Sequence, residues 1–425
     1  MRKTIHFLRV EPRGRLFFIA LTQSAFGTGA GYVGLLLLAY ERFHSVWAIS
    51  LVLLADLLPA MLLGPVLGAA ADRWSRRRCL ILSDLVRALA FGGIALADGF
   101  GATVFFALLA GLGTGLFTPA ALASLPSLAA PRQLPIATSL YGAITDLGHT
   151  AGPALAAGLL ALAGAEGIMT LNAVTFAISA FLLGRISFGA RPRRERAHDV
   201  AKRWRSALID DALAGLKTSF GTRPTRVVIL ASTAGLLCAG MFNVAELPFV
   251  TQELGASDVG FSLLVALFGA GIIAGSLMGS RGGELPAVKR RYLIGLLLMA
   301  VSLLGIGLAY VFATAVIAFL GAGFGNGVML VHERLLLQTT VPDRMLGRVF
   351  GTKDALTAWA FALAFLIAPV LIQLLGTRTL LLAAGGAALL VWVVPAVALR
   401  GVWQRPAPVA PTAPAPAAAP LRRGP

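Results

Sequence analysis

The chain has 425 residues, of which 57% are hydrophobic and 13% charged, and its mean hydropathy is +0.82. A soluble domain carries about 25% charged residues, and here the apolar residues stand in long blocks, so a soluble globular enzyme is excluded. The net charge of +17 comes from Lys and Arg clustered in short segments between those blocks, which is typical of membrane orientation rather than of nucleic-acid binding. The composition predicts a polytopic helical membrane protein.

Twelve apolar segments are long enough to cross a bilayer, which requires about 20 residues of helix. We therefore predict an all-α fold with twelve transmembrane helices, at 15–40, 46–71, 79–97, 101–127, 135–163, 167–188, 226–252, 258–280, 291–310, 312–338, 347–375 and 378–400. The predicted order is a cytoplasmic amino end (1–14), a six-helix bundle (15–188), a cytoplasmic linker (189–225), a second six-helix bundle (226–400) and a disordered Pro/Ala-rich tail (401–425). Within the linker, Trp204 to Phe220 has the pattern of an amphipathic helix on the membrane surface.

The basic residues predict the orientation. They concentrate in the amino end, the loop after the second span, the linker and the loop after the eighth span, whereas the loops on the other side contain only Arg42 and Arg378. By the positive-inside rule both termini are cytoplasmic, and we expect a multi-pass protein of the cell (plasma or inner) membrane.

We expect no cofactor and no metal. Cys79 and Cys238 fall in separate apolar spans, so they form neither a disulfide framework nor a metal-ligand set. The chain has no G-x-x-x-x-G-K-[ST] phosphate loop, so ATP is not expected to bind. The expected partners are a small-molecule substrate, protons and membrane lipids, for a protein acting as a monomer and not as an enzyme.

The two halves of the chain resemble each other. GLGTGLFTP at 111–119 matches GAGFGNGVM at 321–329 with an offset of 210, and the first and seventh spans open on Arg15 and Arg226 with an offset of 211. Duplicated six-helix halves are typical of transporters in which one bundle rocks against the other around a central site.

The loop after the second span carries a recognisable motif. In GPVLGAAADRWSRRRCL the pattern G-x-x-x-D-R-x-x-R-R is formed by five residues: Gly68, Asp72, Arg73, Arg76 and Arg77. In a short loop between spans two and three of twelve, this resembles the signature of the major facilitator superfamily. The resemblance implies two six-helix bundles and a cytoplasmic latch of the outward-facing state, in which Gly68 permits close helix contact. The alternative is an ordinary basic loop.

Two further stretches narrow the resemblance. Gly148, Gly152 and Pro153 in the fifth span are similar to the antiporter motif G-x-x-x-G-P, although Ala156 and Ala157 stand where a glycine pair is usual. The segment VPDRMLGRVFG after the tenth span resembles the bacterial branch that includes the enterobactin exporter and related secretion effectors.

Three ionisable residues are predicted near the middle of the membrane: Asp56 in the second span, and Asp146 with His149, one turn apart, in the fifth. Ionisable groups at this depth are costly and are functional candidates, and a carboxyl group removed from water favours its protonated form. One interpretation is proton coupling at these residues. The other is a set of static polar groups that fix helix packing.

Other charges are predicted close to the cytoplasmic face. Asp84 and Arg87 are spaced for a pair within the third span, and we predict that they belong to a cytoplasmic latch. A second group lies near the end of the tenth span and the start of the eleventh: His332, Glu333, Arg334, Lys353 and Asp354. We predict that this group forms a cytoplasmic gate network. Asp84 as a proton site, and snorkelling of the tenth-span residues to the interface, stay open as alternatives.

Four polar residues are candidates for the substrate cavity, namely Gln23, Asn172, Asn243 and Glu246. The alternatives are hydrogen bonding between helices for Gln23 and Asn172, and an ordinary carboxylate near the outer interface for Glu246. The absence of a midplane arginine pair favours an apolar or weakly cationic substrate over a polyanion.

The resemblance and the charge pattern together predict a secondary transporter that exports amphiphilic small molecules, such as a drug, siderophore or secondary metabolite, by proton-coupled alternating access. Two alternatives remain: a nutrient importer driven by proton symport, and a membrane sensor or partner protein that does not transport.

Overall fold

The computed structural model describes residues 7–188, 213–279 and 284–403, except the side chains of Pro65, Asp72, Arg73, Asp343 and Arg344. These segments are helical, without strands. Eleven long helices follow one another: α1 (Pro12–Phe43), α2 (Val46–Arg73), α3 (Arg76–Leu96), α4 (Phe100–Leu128), α5 (Leu134–Gly184), α6 (Arg223–Pro248), α7 (Asp258–Gly279), α8 (Leu285–Gly307), α9 (Phe312–Thr340), α10 (Asp343–Leu375) and α11 (Thr377–Ala398). A π-helical turn, Phe249–Glu253, extends α6.

Helix α5 crosses the membrane twice. Its 51 residues would extend roughly 77 Å as a straight helix, more than twice the hydrocarbon thickness of a bilayer. The chain reverses at Gly164, whose φ of 64° and ψ of −176° are not helical and suit only glycine. The two arms, 134–163 and 165–184, are the predicted fifth and sixth spans. The eleven apolar helices therefore make twelve crossings, which confirms the predicted all-α polytopic fold.

Twelve crossings place both ends of the described chain on one face, which we name the terminal face; the other is the opposite face. Helices α1 to α5 pack mainly on one another and form the first bundle, and α6 to α11 form the second. The bundles meet where the 134–163 arm of α5 packs on α7 and where α2 packs on α10. At the first of these contacts, a methyl group added at Gly269 would stand 2.2 Å from the carbonyl oxygen of Thr150.

Glycine contacts fix the register of the internal repeat. Gly111 of α4 packs on the carbonyl of Asp56 and Gly323 of α9 on that of Phe268. Two further contacts repeat with the same offset of 212. Gly115 contacts Ala60 in the first bundle, as Gly327 contacts Ile272 in the second. Gly113 contacts Ser83 and Arg87, as Gly325 contacts Gly295 and Met299. The predicted offset of 210 is therefore wrong by two residues, because it matches glycines that face different neighbouring helices.

The linker is described only from residue 213 onward. Residues 213–221 are helical, and Gly215 packs on the backbone of Arg348 at the start of α10. Leu213 and Leu216 are exposed on the other side of this helix, in agreement with an amphipathic segment. The earlier part of the predicted surface helix, from Trp204 to residue 212, and residues 404–425 of the predicted tail lie outside the described residues.

Candidate transport cavity and charged sites

A cavity of about 240 Å³ lies between the two bundles. Each bundle contributes two helices to its wall: α1 and α5 from the first, α6 and α7 from the second. The lining residues are Gly29, Tyr32, His149, Thr150, Pro153, Phe242, Asn243, Glu246, Val265, Phe268, Gly269 and Ile272. Four predicted site residues, His149, Pro153, Asn243 and Glu246, therefore meet at one place, although the first two stand 90 or more positions before the other two.

The ionisable groups of the cavity lie on facing bundles. Glu246 of α6 is 4% exposed and acts electrostatically on the hydroxyl of Tyr32. On the other wall, Asp146 lies one turn before His149 and acts electrostatically on its ring. Asp146 is exposed and does not line the cavity itself, but it lies on the same side of α5 as His149. The predicted Asp146–His149 pair is thus at the edge of the cavity, facing a carboxyl group across it.

The antiporter-like motif packs α5 against α1. A methyl group added at Gly148 would stand 2.6 Å from the backbone of Ala25, and one at Gly152 would stand 2.5 Å from the Cα of Gly29. Small residues spaced by four allow two backbones to touch in lipid. Gly29 and Pro153 also line the cavity. The motif therefore determines the distance between α1 and α5, the two helices of the first bundle that line the cavity.

Asp84 and Arg87 form the predicted pair, since the Arg87 guanidinium donates a hydrogen bond to Asp84. Both are buried, and the guanidinium lies 4.2 Å from the ring centroids of Phe117 of α4 and Phe176 of α5. All these partners belong to the first bundle. The structure therefore places the pair inside one bundle, instead of at the interface between bundles where the predicted gate would lie.

The second bundle has its own buried ion pair. Glu333 of α9 is 2% exposed, and its Oε1 lies 2.9 Å from Nζ of Lys353 of α10. Neighbouring His332 is fully buried, with Nδ1 2.7 Å from the carbonyl oxygen of Val328. Arg334 is exposed on the other side of α9. Of the predicted gate network, Glu333 and Lys353 thus lie together and join α9 to α10 within the second bundle, whereas Arg334 is not part of the ion pair.

The motif loop is described in part. Arg77 donates a hydrogen bond to the carbonyl of Gly184, where a cation stabilises the negative end of a helix, and Arg76 is half-buried. The side chains of Asp72 and Arg73 lie outside the described residues. No heavy atom of the described residues lies within 4 Å of a methyl group placed on Gly68, so the described part of the chain does not contain the close helix contact predicted for this glycine.

Gln23 and Asn172 lie outside the cavity. The amide of Gln23 donates a 2.8 Å hydrogen bond to the carbonyl of Thr175, and Asn172 is 1% exposed against Gly27 and Gly31 of α1. Both polar side chains thus join α1 to the second arm of α5. The hydrogen bond of Gln23 connects two helices, whereas the side-chain oxygen of Asn172 accepts from Thr175 of its own helix. The structure therefore favours the interpretation as a hydrogen-bonding contact between helices for Gln23, and a packing contact with α1 for Asn172.

On the opposite face, two arginines neutralise helix ends. In the first bundle, Arg42 forms a 2.7 Å ion pair with Glu166 and donates hydrogen bonds to carbonyl oxygens at the end of α3. In the second bundle, Arg378 forms a 2.8 Å ion pair with Glu253 and donates hydrogen bonds to carbonyl oxygens at the end of α8. The repeat offset of 212 relates Glu166 to Arg378, so the two bundles carry the same pair with the charges exchanged. These are the two basic residues that lie on the acidic side of the predicted topology.

A hydrogen bond joins the bundles on the opposite face, where the side-chain amide of Gln252 donates to the hydroxyl of Tyr40. We predict that Tyr40→Phe shifts the equilibrium about fivefold toward conformations open on this face, because one net hydrogen bond contributes about 1 kcal/mol. Electron spin resonance distances between labels at Asp98 and Val311, one in each bundle, measure this shift.

Tyr310→Phe is the matched control for that experiment. Tyr310 is 76% exposed on the same face, and its ring, rather than its hydroxyl, contacts Arg378. An unchanged distance distribution in Tyr40→Phe, or an equal shift in both variants, would contradict a closing role for the Tyr40–Gln252 bond.

Sequence reasoning missed most of the cavity wall, above all Tyr32, Thr150, Phe242 and Phe268. A tyrosine in the middle of a glycine-rich apolar span is a usable signal for Tyr32. The phenylalanines carry no such signal, because the chain has 24 of them and most face other helices or lipid.

Comparison with known proteins identifies the family. The family model of the Major Facilitator Superfamily matches residues 16–245 and 228–424, which together span almost the whole chain. The chain belongs to the Major Facilitator Superfamily. As a member of that superfamily it is a multi-pass membrane transporter rather than an enzyme.

Relatives of this transporter include exporters. It is 28% identical over 408 residues to the multidrug efflux pump Tap of Mycolicibacterium fortuitum, covering 89% of this chain and 93% of that protein. It is 27% identical to BacE of Bacillus amyloliquefaciens, which is named as a candidate bacilysin exporter, covering 82% and 86% respectively. The resemblance to the enterobactin exporter branch stays a prediction.

Solved structures agree on the fold. A bacterial homologue of the human lysosomal transporter Spinster superposes with a TM-score of 0.68 at 13% identity, over 92% of this chain and 98% of that one. A POT family transporter superposes with a TM-score of 0.69, also at 13% identity, over 92% and 96%. At this identity the likeness concerns the fold alone.

Proposed function

We propose that this transporter exports amphiphilic small molecules that carry at most one positive charge, by proton-coupled alternating access across the cell membrane with both termini in the cytoplasm. The observation that carries the proposal is the cavity between the bundles, whose wall is largely apolar and aromatic and whose carboxyl group is Glu246. Apolar walls with few placed polar groups are the usual form of a small-molecule site. The exporter relatives support the direction of transport.

The arrangement favours cations over anions. Among the twelve lining residues, Glu246 supplies the carboxyl group and His149 the imidazole. Tyr32, Phe242 and Phe268 supply aromatic rings around the same space, and ring faces attract cations. A polyanion would have to approach Glu246 without an arginine or lysine in the wall to balance it.

The first experiment uses inside-out vesicles with an acidified lumen, to which a compound is added on the outer, formerly cytoplasmic, side. Protein-dependent discharge of the pH gradient by ethidium supports proton antiport and export. Discharge only by compounds loaded into the lumen would instead identify a symporting importer. Failure of a panel of amphiphilic cations and neutral compounds in both arrangements would contradict proton-coupled transport of this substrate class.

Glu246→Gln is expected to reduce transport of ethidium, a permanent cation, at least tenfold while reducing transport of uncharged chloramphenicol much less. A desolvated ion pair differs from its neutral counterpart by more than the 1.4 kcal/mol that corresponds to tenfold. Measured as initial rates in the same vesicles, equal losses for both compounds would contradict a charge-recognition role. Glu41→Gln, which removes an exposed carboxyl group on the opposite face, is the control and should leave both rates unchanged.

A further inference from the structure

A second set of ionisable residues lies inside the first bundle, away from the cavity. Arg87 of α3 holds Asp84 by a hydrogen bond and also interacts electrostatically with Asp56 of α2 and Tyr141 of α5. Among the described residues, Arg87 is the charged group that acts on Asp56, and Ser179 of α5 lies beside Asp84. The guanidinium thus contacts one carboxyl group, that of Asp84, and acts on a second, that of Asp56, through electrostatics.

The glycines of α4 place these residues in one layer of the bundle. Gly111 packs on the backbone carbonyl of Asp56, and Gly113 packs on the side chain of Arg87, with a methyl group added there standing 2.6 Å from Cγ. Positions two apart on a helix differ in height by about 3 Å and point in opposite directions. Asp56 and Arg87 thus lie on either side of α4 at nearly the same depth.

The internal repeat shows that packing alone does not require these charges. At the offset of 212, the positions of Asp56, Asp84 and Arg87 correspond to Phe268, Leu296 and Met299 in the second bundle. There the corresponding glycines of α9 contact the backbone of Phe268 and Met299, residues whose side chains are apolar. Buried charges in a membrane are expensive, so a charged set at positions that tolerate apolar residues has a role other than packing.

The charges of the set sum to −1 when both carboxyl groups are ionised, and to zero when one of them holds a proton. A net charge is unfavourable away from water, so the set binds one proton readily. Asp84 is in direct contact with the guanidinium, so the charge of Asp56 is the less directly balanced of the two.

We propose that Asp56, Asp84 and Arg87 form a one-proton binding site in the first bundle, separate from the substrate cavity. This inference rests on the proposed proton-coupled transport and names where the driving proton sits. Helix α2, which carries Asp56, also packs on α10 of the second bundle. Binding and release of the proton at Asp56 therefore change the charge of a helix at the interface between bundles, and they do so without competing with substrate for Glu246.

Infrared difference spectroscopy of the purified full-length protein in lipid tests the proton site without relying on transport. With the buried carboxyl group of the cavity removed by Glu246→Gln, the protein is expected to show a carbonyl stretching band of a protonated carboxyl group that titrates with pH, and adding Asp56→Asn should remove it. Asp146→Asn, which removes the rival carboxyl group beside the cavity, should leave the band in place. A band that survives Asp56→Asn, or that disappears in Asp146→Asn instead, overturns the proposal.

Transport assays then test coupling. In Asp56→Asn, substrate affinity and exchange of substrate down its own gradient are expected to persist, while accumulation driven by a pH gradient falls at least tenfold. Loss of the band together with normal uphill accumulation overturns the coupling role. If Glu246→Gln shows the band but the wild type shows no proton-driven transport, the proposed function fails and the assignment of the proton site stands apart from it.

A second variant tests the same proposal if Asp56→Asn does not fold. The triple substitution Asp56→Phe, Asp84→Leu and Arg87→Met copies the residues that the second bundle uses at the same positions. It is expected to fold, to lack the band when combined with Glu246→Gln, and to lose uphill accumulation. Uphill accumulation by this folded variant overturns the proposal as well.

Discussion

Gly152→Ala is expected to lower the free energy of unfolding by about 3 kcal/mol, the upper end of the usual cost of overpacking, and to abolish transport. The added methyl group would stand 2.5 Å from the Cα of Gly29 and 2.7 Å from the backbone nitrogen of Ala30. These are backbone atoms and cannot rotate away, so α1 and α5 must separate. Because Gly29 and Pro153 line the cavity, its shape changes as well. Thermal unfolding in detergent and transport of ethidium in vesicles measure the two effects.

Gly158→Ala provides the control on the same arm of α5. Within the described part of the chain, no heavy atom lies within 4 Å of a methyl group placed there, and alanine is a better helix former than glycine by about 1 kcal/mol. This variant should be as stable as the wild type or slightly more stable, with normal transport. Similar losses in the two glycine variants would show that helix propensity, rather than contact with α1, governs this arm.

Arg378→Ala is expected to destabilise the second bundle by about 3 kcal/mol, because it leaves partly buried partners without a donor. The guanidinium donates to Glu253 at 2.8 Å and to the carbonyl oxygens of Gly307 and Ala309 at 2.9 and 2.7 Å. It also lies 4.2 Å from the ring centroid of Tyr310. One side chain thus joins α8, α11 and the end of α6. Denaturant unfolding in micelles measures the loss.

Two further variants, Arg378→Lys and Arg400→Ala, serve as comparisons for Arg378→Ala. Arg378→Lys keeps the charge but replaces the planar fork of donors by a point charge, so an intermediate loss is expected. Arg400→Ala removes an exposed arginine at the end of the last helix, and its effect should stay within about 0.5 kcal/mol. If Arg400→Ala costs as much as Arg378→Ala, net charge rather than the specific contacts of Arg378 determines stability.

The charges exchanged between the bundles explain why two arginines are tolerated on the opposite face. In the first bundle the arginine stands at the end of α1 and the glutamate, Glu166, opens the second arm of α5. In the second bundle the glutamate stands at the end of the π-helical turn and the arginine opens α11. Either arrangement places a guanidinium beside the last carbonyls of α3 or α8, where a cation interacts favourably with the helix dipole.

The structure brings predicted charged residues together but places one of their pairs away from the predicted gate. Asp84 and Arg87 were paired correctly because residues three apart on a helix are neighbours. Their role at a gate was inferred from nearness to the loop, and the structure places them inside the first bundle, between Phe117 and Phe176. Glu333 and Lys353 were both placed in the predicted cytoplasmic gate network and form an ion pair, whereas Arg334, next to Glu333 in the chain, is exposed and takes no part in that pair.

The sequence by itself determined the number and order of the twelve spans, the break near Gly164 and the superfamily, because apolar length, glycine and a short loop motif are local properties of a chain. Only the tertiary structure decided which sides of the helices face each other. That choice placed His149 and Glu246 across one cavity, moved Gln23 and Asn172 out of it, and set the repeat offset at 212. The physical reason is that helices in lipid are apolar on most sides, so hydrophobic periodicity does not reveal which side faces a neighbouring helix. Their orientation follows instead from close contacts of small residues such as Gly29 and Gly152.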